Sequence, residues 1–435
     1  MLSSLRKNIN ASGTSPSVLR GQAFGLGAPA RFGAAWSRPS TALRSIAVLV
    51  AAVWGLPAAA EISDTVHPFV AVTVTHDDNL LRLADQVVGL DGPRSDTITQ
   101  LQGGVLFARP IGRQILSGQA KLSKVTFGHY DQLNYDGKDL LAVLEWHLGN
   151  HVQGHLGTSY AQSLTPFTDY HSTERNLRVQ RRQYFDAAWR FHPSWSVHSG
   201  VSHDKFDYEL ATQRLNERTE KSVDLGLDYL ASSESRVGVV VRRLKGEYAN
   251  PRVFGSTIID DDYDQNEVKA DIYWRFSGVT QLRFLGGWVE RKPASLARRS
   301  TKGNNGRVVI NWAPLGKVRF TGTAWREFGA VESSLVNNSL NQGGSVGADW
   351  DISAKVRGNA LIRREKRDFS ALSGLNVPGD ISDTTRSASL GLSYVPKPAI
   401  QLGVNFTHDV RSGSLILGTG SYNANSVSFN ASAQF

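Results

Sequence analysis

The last ten residues of the chain alternate strictly between apolar and polar side chains. Val427, Phe429, Ala431, Ala433 and Phe435 are apolar, and a Ser, Asn or Gln stands between each neighbouring pair. A two-residue period places the two sets on opposite faces of a β-strand. The length matches the roughly 9–11 residues that a tilted strand needs to cross a bilayer. A chain with such an ending is expected to repeat this pattern.

The alternation recurs along the sequence with a period of roughly 40 residues, as strand, tight turn, strand and long polar segment. One hairpin rises through 140–148, turns at Gly149 and Asn150, and returns through 152–160. Eight short turns are predicted, near 110–112, 149–150, 192–194, 231–233, 277–278, 313–316, 351–353 and 396–398.

Long polar segments separate the hairpins, near 78–95, 163–177, 207–218, 249–262, 292–304, 329–341, 369–383 and 411–424. The first strand is predicted at 67–77 and the last ends at Phe435, which makes about 18 antiparallel strands. The fold class is therefore all-β, a transmembrane up-and-down barrel with both termini on the side of the short turns. A β-sandwich is disfavoured because its connections would include Greek-key crossovers.

Aromatic residues recur on the apolar face beside the short turns. They form an expected girdle at one membrane interface, where amphipathic rings are enriched, and comprise Trp146, Trp189, Trp195, Trp274, Trp312, Trp350 and Tyr394. The carboxyl-terminal strand resembles the last strand of bacterial outer-membrane barrels. That resemblance implies that Phe435 belongs to the signal read by the barrel assembly machinery, and that the protein lies in the outer membrane of a Gram-negative bacterium.

The first sixty residues have the features of a secretory signal peptide. They contain six basic residues and no acidic residue, and lead through an apolar segment at 46–56 to Ala58, Ala59 and Ala60. We therefore expect a signal peptide at 1–60, with an unusually long basic region, and a barrel at 61–435. Loss of the six basic residues lowers the formal charge from +9 to +3, so charge does not indicate nucleic acid as a partner.

No motif for catalysis or for a cofactor is found in the sequence. The chain has no Cys, which excludes disulfides and thiolate metal sites. Its eleven His show no metal-binding spacing. The acidic run 260–264 lacks the Gly and the spaced Glu of a calcium loop and is interpreted as a solvated loop. Ser202 and His203 are neighbours on one strand and should point to opposite faces. We expect neither an enzyme nor a bound cofactor or metal.

The polar face of the strands should line the lumen, and it carries many basic and some aromatic side chains. Candidates for a substrate path are Lys355, Arg357, Arg363 and Arg367 on one strand, and Arg182, Arg190, Arg275, Arg283, Arg319, Tyr184 and Tyr273 on others. A basic row in a channel favours acidic solutes. Inward carboxylates could instead pair with these residues and only stiffen the wall, and the sequence leaves both interpretations open.

The amino-terminal part of the predicted barrel resembles one family of bacterial proteins. The segments 67–69, 75–83 (Thr-His-Asp-Asp-Asn-Leu-Leu-Arg-Leu), 95–97 and 112–114 are similar to the start of EpsL-type proteins. These are outer-membrane β-barrels associated with exosortase-linked exopolysaccharide systems. The resemblance implies a part in exopolysaccharide biosynthesis or export, with polysaccharide, outer-membrane lipid and periplasmic components of such a system as partners, and it implies no catalytic residue.

Three functions remain open from the sequence. The first is a passive conduit for a secreted, acidic polysaccharide; the second is a general or solute-specific porin; the third is a surface anchor for the polymer. Porins commonly fold a long loop into the lumen as a constriction. None of the long segments is plainly long enough for this, and the sequence does not show whether a loop plugs the pore.

Overall fold

In the computed structural model of the protein, described residues cover 65–84, 92–168, 170–254, 257–294, 300–331, 338–369, 381–413 and 420–435. The predicted signal peptide at 1–60 lies outside these residues. Among them, no helix has the length and apolar character needed to cross a membrane.

Twenty β-strands form, because alternating apolar and polar residues favour extended backbone with two different faces. They are β1 (Val66–Asp77), β2 (Asp96–Ile111), β3 (Gln114–Phe127), β4 (Tyr135–Leu148), β5 (Val152–Leu164), β6 (Leu177–His192), β7 (Trp195–Tyr208), β8 (Arg218–Leu230), β9 (Arg236–Tyr248), β10 (Arg252–Phe254), β11 (Thr257–Ile259), β12 (Tyr263–Arg275), β13 (Thr280–Pro293), β14 (Thr301–Leu315), β15 (Val318–Ala330), β16 (Asn338–Asp351), β17 (Val356–Phe369), β18 (Ser382–Lys397), β19 (Ile400–Ser412) and β20 (Tyr422–Gln434).

Eighteen of these strands close into one antiparallel barrel. Each pairs with its neighbours along the chain, and β9 pairs with β12 past the small β10–β11 hairpin. The ring closes between β1 and β20, where Phe69 lies opposite Gln434. Both termini therefore lie on the side of the short turns, and the predicted strand number and topology are confirmed. Closure matters because it leaves no unpaired strand edge.

The outer face of the barrel is apolar. Large hydrophobic side chains stand exposed on it, among them Leu148, Phe185, Val239 and Ile362, with exposed fractions of 65%, 43%, 56% and 68%. Residues paired across strands share a face, so the polar set of each strand faces the lumen. A closed, even-numbered barrel with an apolar exterior and a polar interior is stable only across a lipid bilayer. The protein is a barrel of the outer membrane of a Gram-negative bacterium, with porin-like architecture.

The girdle beside the short turns is present. Trp189, Trp312 and Trp350 are about half exposed on the outer face, at 55%, 47% and 53%. Ring pairs link neighbouring strands, as in Trp195 with Tyr229, whose centroids lie 5.3 Å apart. Such rings favour the interface between headgroups and hydrocarbon. Outer-membrane barrels have short periplasmic turns and longer extracellular loops, so this end of the barrel is the periplasmic end and the long loops lie outside the cell.

All eight predicted short turns connect the expected strands. Gly112 and Gly149 adopt positive φ angles of 63° and 58° in two of them, a conformation that disfavours side chains with a Cβ. One loop was missed as a separate segment, at 128–134 between β3 and β4, because it is short and contains a single turn of 3-10 helix, Asp131–Leu133. A second 3-10 helix, Ala211–Asn216, lies in the loop before β8.

Replacing Phe435 with Ser is expected to lower the amount of assembled barrel in cells several-fold. The Phe435 backbone N–H donates to the Pro68 carbonyl at 2.8 Å, so the terminal residue lies at the seam where the ring closes. Heat-modifiable migration on gels would measure the folded fraction. Phe429→Ser removes an aromatic side chain from the same strand without changing the terminus, and should reduce assembly less. Equal assembly of all three proteins would contradict a special role of Phe435.

Candidate functional site: the lumen and its mouth

One half of the lumen wall is densely charged. We call the inward faces of β6–β9 and β12 the charged wall. His155 on β5 pairs with Asp186 through Nδ1 and Oδ1 at 2.9 Å, and His198 pairs with Asp228 at 2.8 Å. Arg236 bridges β9 to β12 by binding Asp271 at 2.8 Å. Most charges here are held by a partner one strand away, as the salt-bridged interpretation expected.

The opposite half of the wall is uncharged below the mouth. We call the inward faces of β18–β20 and β1 the neutral wall, which lies half-way round the ring from β8 and β9. It presents hydroxyl and amide groups, as in Thr75, whose Oγ1 lies 2.7 Å from Ser428 Oγ. Ser389 and Asn405 are buried on the same surface. The lumen is therefore polarised across its width, with a charged and a neutral side.

A cavity of about 360 Å³ lies against the charged wall. Its lining comes from β4–β9, β12 and β13, and includes Glu145, Arg182, Tyr184, Asp224, Arg242 and Lys269. Tyr184 lies over Gly157 of the neighbouring strand, where a Cβ would approach the ring within 2.3 Å. The absence of a side chain at Gly157 thus lets the ring lie flat along the wall, and this keeps the cavity open beside it.

Two groups in this cavity face each other without contact. Asp224 and Arg242 are register partners on β8 and β9. Arg242 donates one hydrogen bond, from Nη2 to Ser222 Oγ at 3.3 Å, and its Nε has no partner among the described residues. Within the same part of the chain, the Asp224 carboxylate makes no hydrogen bond or ion pair. Gly200 leaves room for that carboxylate, since a Cβ there would lie 3.1 Å from Oδ1. One anion and one cation therefore stand available to a solute.

The basic strand predicted from the sequence is β17, and its arginines at 357, 363 and 367 face inward. Arg357 binds Asp351 at 2.9 Å, Arg363 binds Glu365 at 2.8 Å, and Arg367 binds Asp383 at 2.6 Å. The row is thus compensated by carboxylates that follow in the sequence or lie on neighbouring strands. Lys355 lies in the short turn before β17 and is exposed.

An arginine–tryptophan stack projects from the same region. The Arg363 guanidinium lies 4.8 Å above the Trp325 ring and that of Arg307 lies 5.5 Å from it. The Trp325 Nε1–H donates to Glu365 Oε2 at 2.8 Å, which fixes the ring. Trp325, 8% exposed, thus packs between Arg307 and Arg363, an arrangement that only the register of β14–β17 reveals.

The other predicted lumen residues are spread round the wall. Arg182 binds Asp204 at 3.4 Å, and Arg283 lies 5.5 Å from the Tyr273 ring. Arg275 pairs with Glu234, and Arg319 binds Asp351 at 3.4 Å, both near the periplasmic end. Arg190 is exposed at that end of β6. Only Arg182 and Tyr184 line the cavity, so the predicted set does not form one site.

The first long loop folds inward, which the sequence had left open. We call the segment 78–95 between β1 and β2 loop 1; its residues 78–84 and 92–95 are described. Leu80, Leu81 and Leu83 are buried, with exposed fractions of 4%, 1% and 9%. They pack against inward-facing side chains of β3, Val125 and Phe127. The length of this segment does not reveal its inward fold, because the fold depends on the burial of the leucines within loop 1.

Loop 1 is held by polar contacts as well. Asn79 donates to the carbonyls of Leu83 and Asn423 at 2.8 and 2.9 Å, which joins the loop to β20. Arg82 binds the inward Asp77 carboxylate through two hydrogen bonds of 2.7 and 2.8 Å. The chain turns directly after β1, where the Asn79 N–H donates to Asp77 Oδ1 at 2.9 Å. The segment that carries the family resemblance therefore has a structural role at the mouth.

Asp96 organises the adjoining loop from a buried position. Its carboxylate, 1% exposed, accepts backbone N–H groups of Thr97, Gly128 and His129 at 2.7, 3.0 and 3.0 Å. Burial raises the pKa of the Tyr130 phenol, and the negative charge of Asp96 adds to this. The Tyr130 hydroxyl donates to the Pro93 carbonyl at 2.6 Å, so both loops form one folded body.

The loop between β5 and β6, residues 165–176, joins the same body. His171 Nδ1 lies 2.8 Å from the Leu81 carbonyl oxygen. Arg411 on the inward face of β19 donates to the Thr168 carbonyl and lies 5.3 Å from the Tyr422 ring. Loops from one side of the mouth therefore reach the wall on the other side of the β1–β20 seam, which narrows the extracellular entrance.

No group of three or more potential metal ligands occurs in the described part of the chain. Ser202 and His203 lie on opposite faces of β7, since Ser202 pairs with the inward Tyr184 and His203 with Gln183 on the outer face.

The sequence matches no family model and no curated protein. Solved structures with similar backbone include the outer membrane protein OpdK from Pseudomonas aeruginosa, at 12% identity over 86% of this chain and 99% of that one, with a TM-score of 0.46. OccAB3 of Acinetobacter baumannii has 9% identity over 85% and 98%, with a TM-score of 0.45. OccK2 of P. aeruginosa, solved with glucuronate, has 8% identity over 85% and 98%, with a TM-score of 0.46.

Proposed function

We propose that the protein is a passive diffusion channel for small polar solutes, the porin alternative among the three functions. The observation that carries this proposal is the inward fold of loop 1, which occupies part of the extracellular mouth through buried apolar packing. A long polymer needs a continuous wide path, whereas small solutes pass a narrowed mouth. A narrowed entrance also gives the lumen side chains close contact with each solute, and close contact is the basis of selectivity.

The cavity against the charged wall supports a small solute. Its volume of about 360 Å³ is near the lower end of small-molecule sites. The facing Asp224 and Arg242 offer one charge of each sign. A solute that carries both a cationic and an anionic group would satisfy both, and one that lacks either would leave a charge unpaired. Small zwitterions such as amino acids are therefore the preferred solute class.

Purified protein in liposomes would test this by swelling rates with glycine, a neutral monosaccharide and a monovalent anion. We expect glycine to enter faster than the sugar. Replacing Asp224 with Asn and Arg242 with Gln should lower the glycine-to-sugar ratio by roughly tenfold, the effect of about 1.4 kcal/mol of lost discrimination. The double variant Lys121→Gln with Asp139→Asn is the matched control, because these two residues pair with each other at 2.8 Å. An unchanged ratio in the first double variant would contradict the solute class, and no swelling with any solute would contradict the channel.

A conduit for an exopolysaccharide is the second candidate. It is favoured by the neutral wall, since hydroxyl and amide groups such as those of Thr75 and Ser428 suit the hydroxyl groups of sugars. The resemblance of residues 75–83 to EpsL-type proteins supports it as well. Polysaccharide and periplasmic components of its synthesis would then be partners.

Deleting the gene separates the two candidates. Polymer trapped in the periplasm, and released again when the mature barrel is supplied, would support the conduit, whereas unchanged secretion would contradict it. Arg357→Glu with Arg363→Glu should then reduce extracellular polymer several-fold while the barrel still assembles, because two inward cations become anions. Normal export by the assembled variant would show that the inward face of β17 does not contact the polymer during export.

A further inference from the structure

A second charged region lies on the outer surface of the barrel, at the extracellular edge of the apolar band. Its centre is Arg364 on β17 and Arg386 on β18, which lie directly opposite each other in the sheet register. Both are exposed and both point away from the lumen, since alternation places them on the face of Ile362. Like charges that face each other across two strands destabilise a sheet, so this pair needs an explanation.

The same barrel contains two comparable pairs, and each is resolved by a carboxylate. Arg181 lies opposite Lys205, and both bind Asp207, Lys205 at 2.9 Å. Lys221 lies opposite Lys245, and both bind Glu247, at 2.8 and 2.7 Å.

In the described part of the chain, no carboxylate bridges Arg364 and Arg386. The nearest outward acid on β17, Asp368, binds Lys366 at 2.9 Å and accepts from Gln342 at 3.0 Å. The third pair therefore keeps its positive charge, and Arg326 adds a further cation on the outer face.

The position of the pair indicates what neutralises it. One residue pair nearer the periplasm on the same face, Ile362 lies opposite Ala388 and is 68% exposed, so the hydrocarbon band begins immediately below the arginines. β17 runs from a short periplasmic turn toward a long extracellular loop, which places Arg364 at the level of outer-leaflet headgroups. Two guanidinium groups at this height match the geometry of a phosphate, which arginine binds through paired N–H donors.

We propose that Arg364 and Arg386 form a binding site for the phosphate of a phosphorylated glycolipid, the lipopolysaccharide of the outer leaflet. The phosphate supplies the anion that Asp207 and Glu247 supply for the other two pairs. The acyl chains of the same lipid lie against the exposed apolar band at Ile362, Val346 and Leu390. The site binds a lipid on the outer surface of the barrel, and it does not depend on which solute passes through the lumen.

The test uses delipidated protein in detergent and measures binding of diphosphorylated lipid A by native mass spectrometry. The variant Arg364→Gln with Arg386→Gln is expected to bind roughly tenfold more weakly, the loss of one charge-assisted contact. The matched control is Arg181→Gln with Lys205→Gln, which removes two cations from a comparable outward-facing pair that already has Asp207. It should bind as the unmodified protein does.

A second measurement needs no variant. The unmodified protein should bind dephosphorylated lipid A roughly tenfold more weakly than the diphosphorylated form. Equal binding of the two lipids, or equal weakening by the two double variants, would overturn the site. The first result would mean that acyl contacts alone hold the lipid, and the second that the outer face attracts anions without a specific site.

Discussion

Replacing Leu81 with Asp is expected to increase the single-channel conductance of the barrel several-fold. Leu81 is 1% exposed within the apolar cluster that holds loop 1 against the inner wall. An unpaired carboxylate at this position would cost several kcal/mol in the docked loop and almost nothing in an undocked one. The equilibrium would therefore shift toward a loop that leaves the mouth, and ion flow would rise because the entrance widens.

Recordings in planar bilayers would measure this directly. Val253→Asp is the matched control, since Val253 lies in the β10–β11 hairpin on the same side of the membrane and is 65% exposed, where a carboxylate meets water. It should leave the conductance unchanged. A Leu81→Asp barrel that inserts normally and conducts as the unmodified protein does would show that loop 1 does not control the entrance, and would remove the main support for the diffusion-channel proposal.

The second large effect concerns stability. Asp383→Asn is expected to lower the free energy of unfolding by about 3 kcal/mol, the lower part of the range for breaking a buried pair. The Asp383 side chain is 0% exposed, binds Arg367 at 2.6 Å and lies 3.9 Å from Arg411. Removing its charge leaves two buried guanidinium groups without their anion. The neighbouring loop at Thr168, which Arg411 holds, should loosen as well.

Denaturant unfolding in lipid vesicles, followed by tryptophan fluorescence, would measure the change. Asp351→Asn provides the comparison. Its partners Arg357 and Arg319 are 62% and 53% exposed, so water replaces the lost contact and the cost should stay below about 1 kcal/mol. Equal stability of the two variants would mean that water reaches Asp383 as freely as it reaches Asp351 at the periplasmic rim.

The sequence predicted the inward orientation of many lumen residues and failed to predict their partners. Alternation alone places Arg357, Arg363 and Arg367 on one face of one strand, and all three face inward. Alternation contains no information on the offset between neighbouring strands, so the pairing of Arg367 with Asp383 could not be derived. The same holds for Asp224 and Arg242, which are 18 positions apart and meet only because of the β8–β9 register.

The sequence by itself determined the all-β barrel, the number of its strands, the eight short turns and the face on which each strand is apolar. These are local properties, because a two-residue period and a turn signal act over a few neighbouring residues.

The tertiary structure decided which charges of the lumen form ion pairs, that Asp224 and Arg242 face each other across β8 and β9, and that loop 1 turns inward. Those outcomes depend on distances between residues far apart in the chain. Leu80, Leu81 and Leu83 gain burial only where Val125 and Phe127 already line the wall, and no pattern within either segment contains the position of the other.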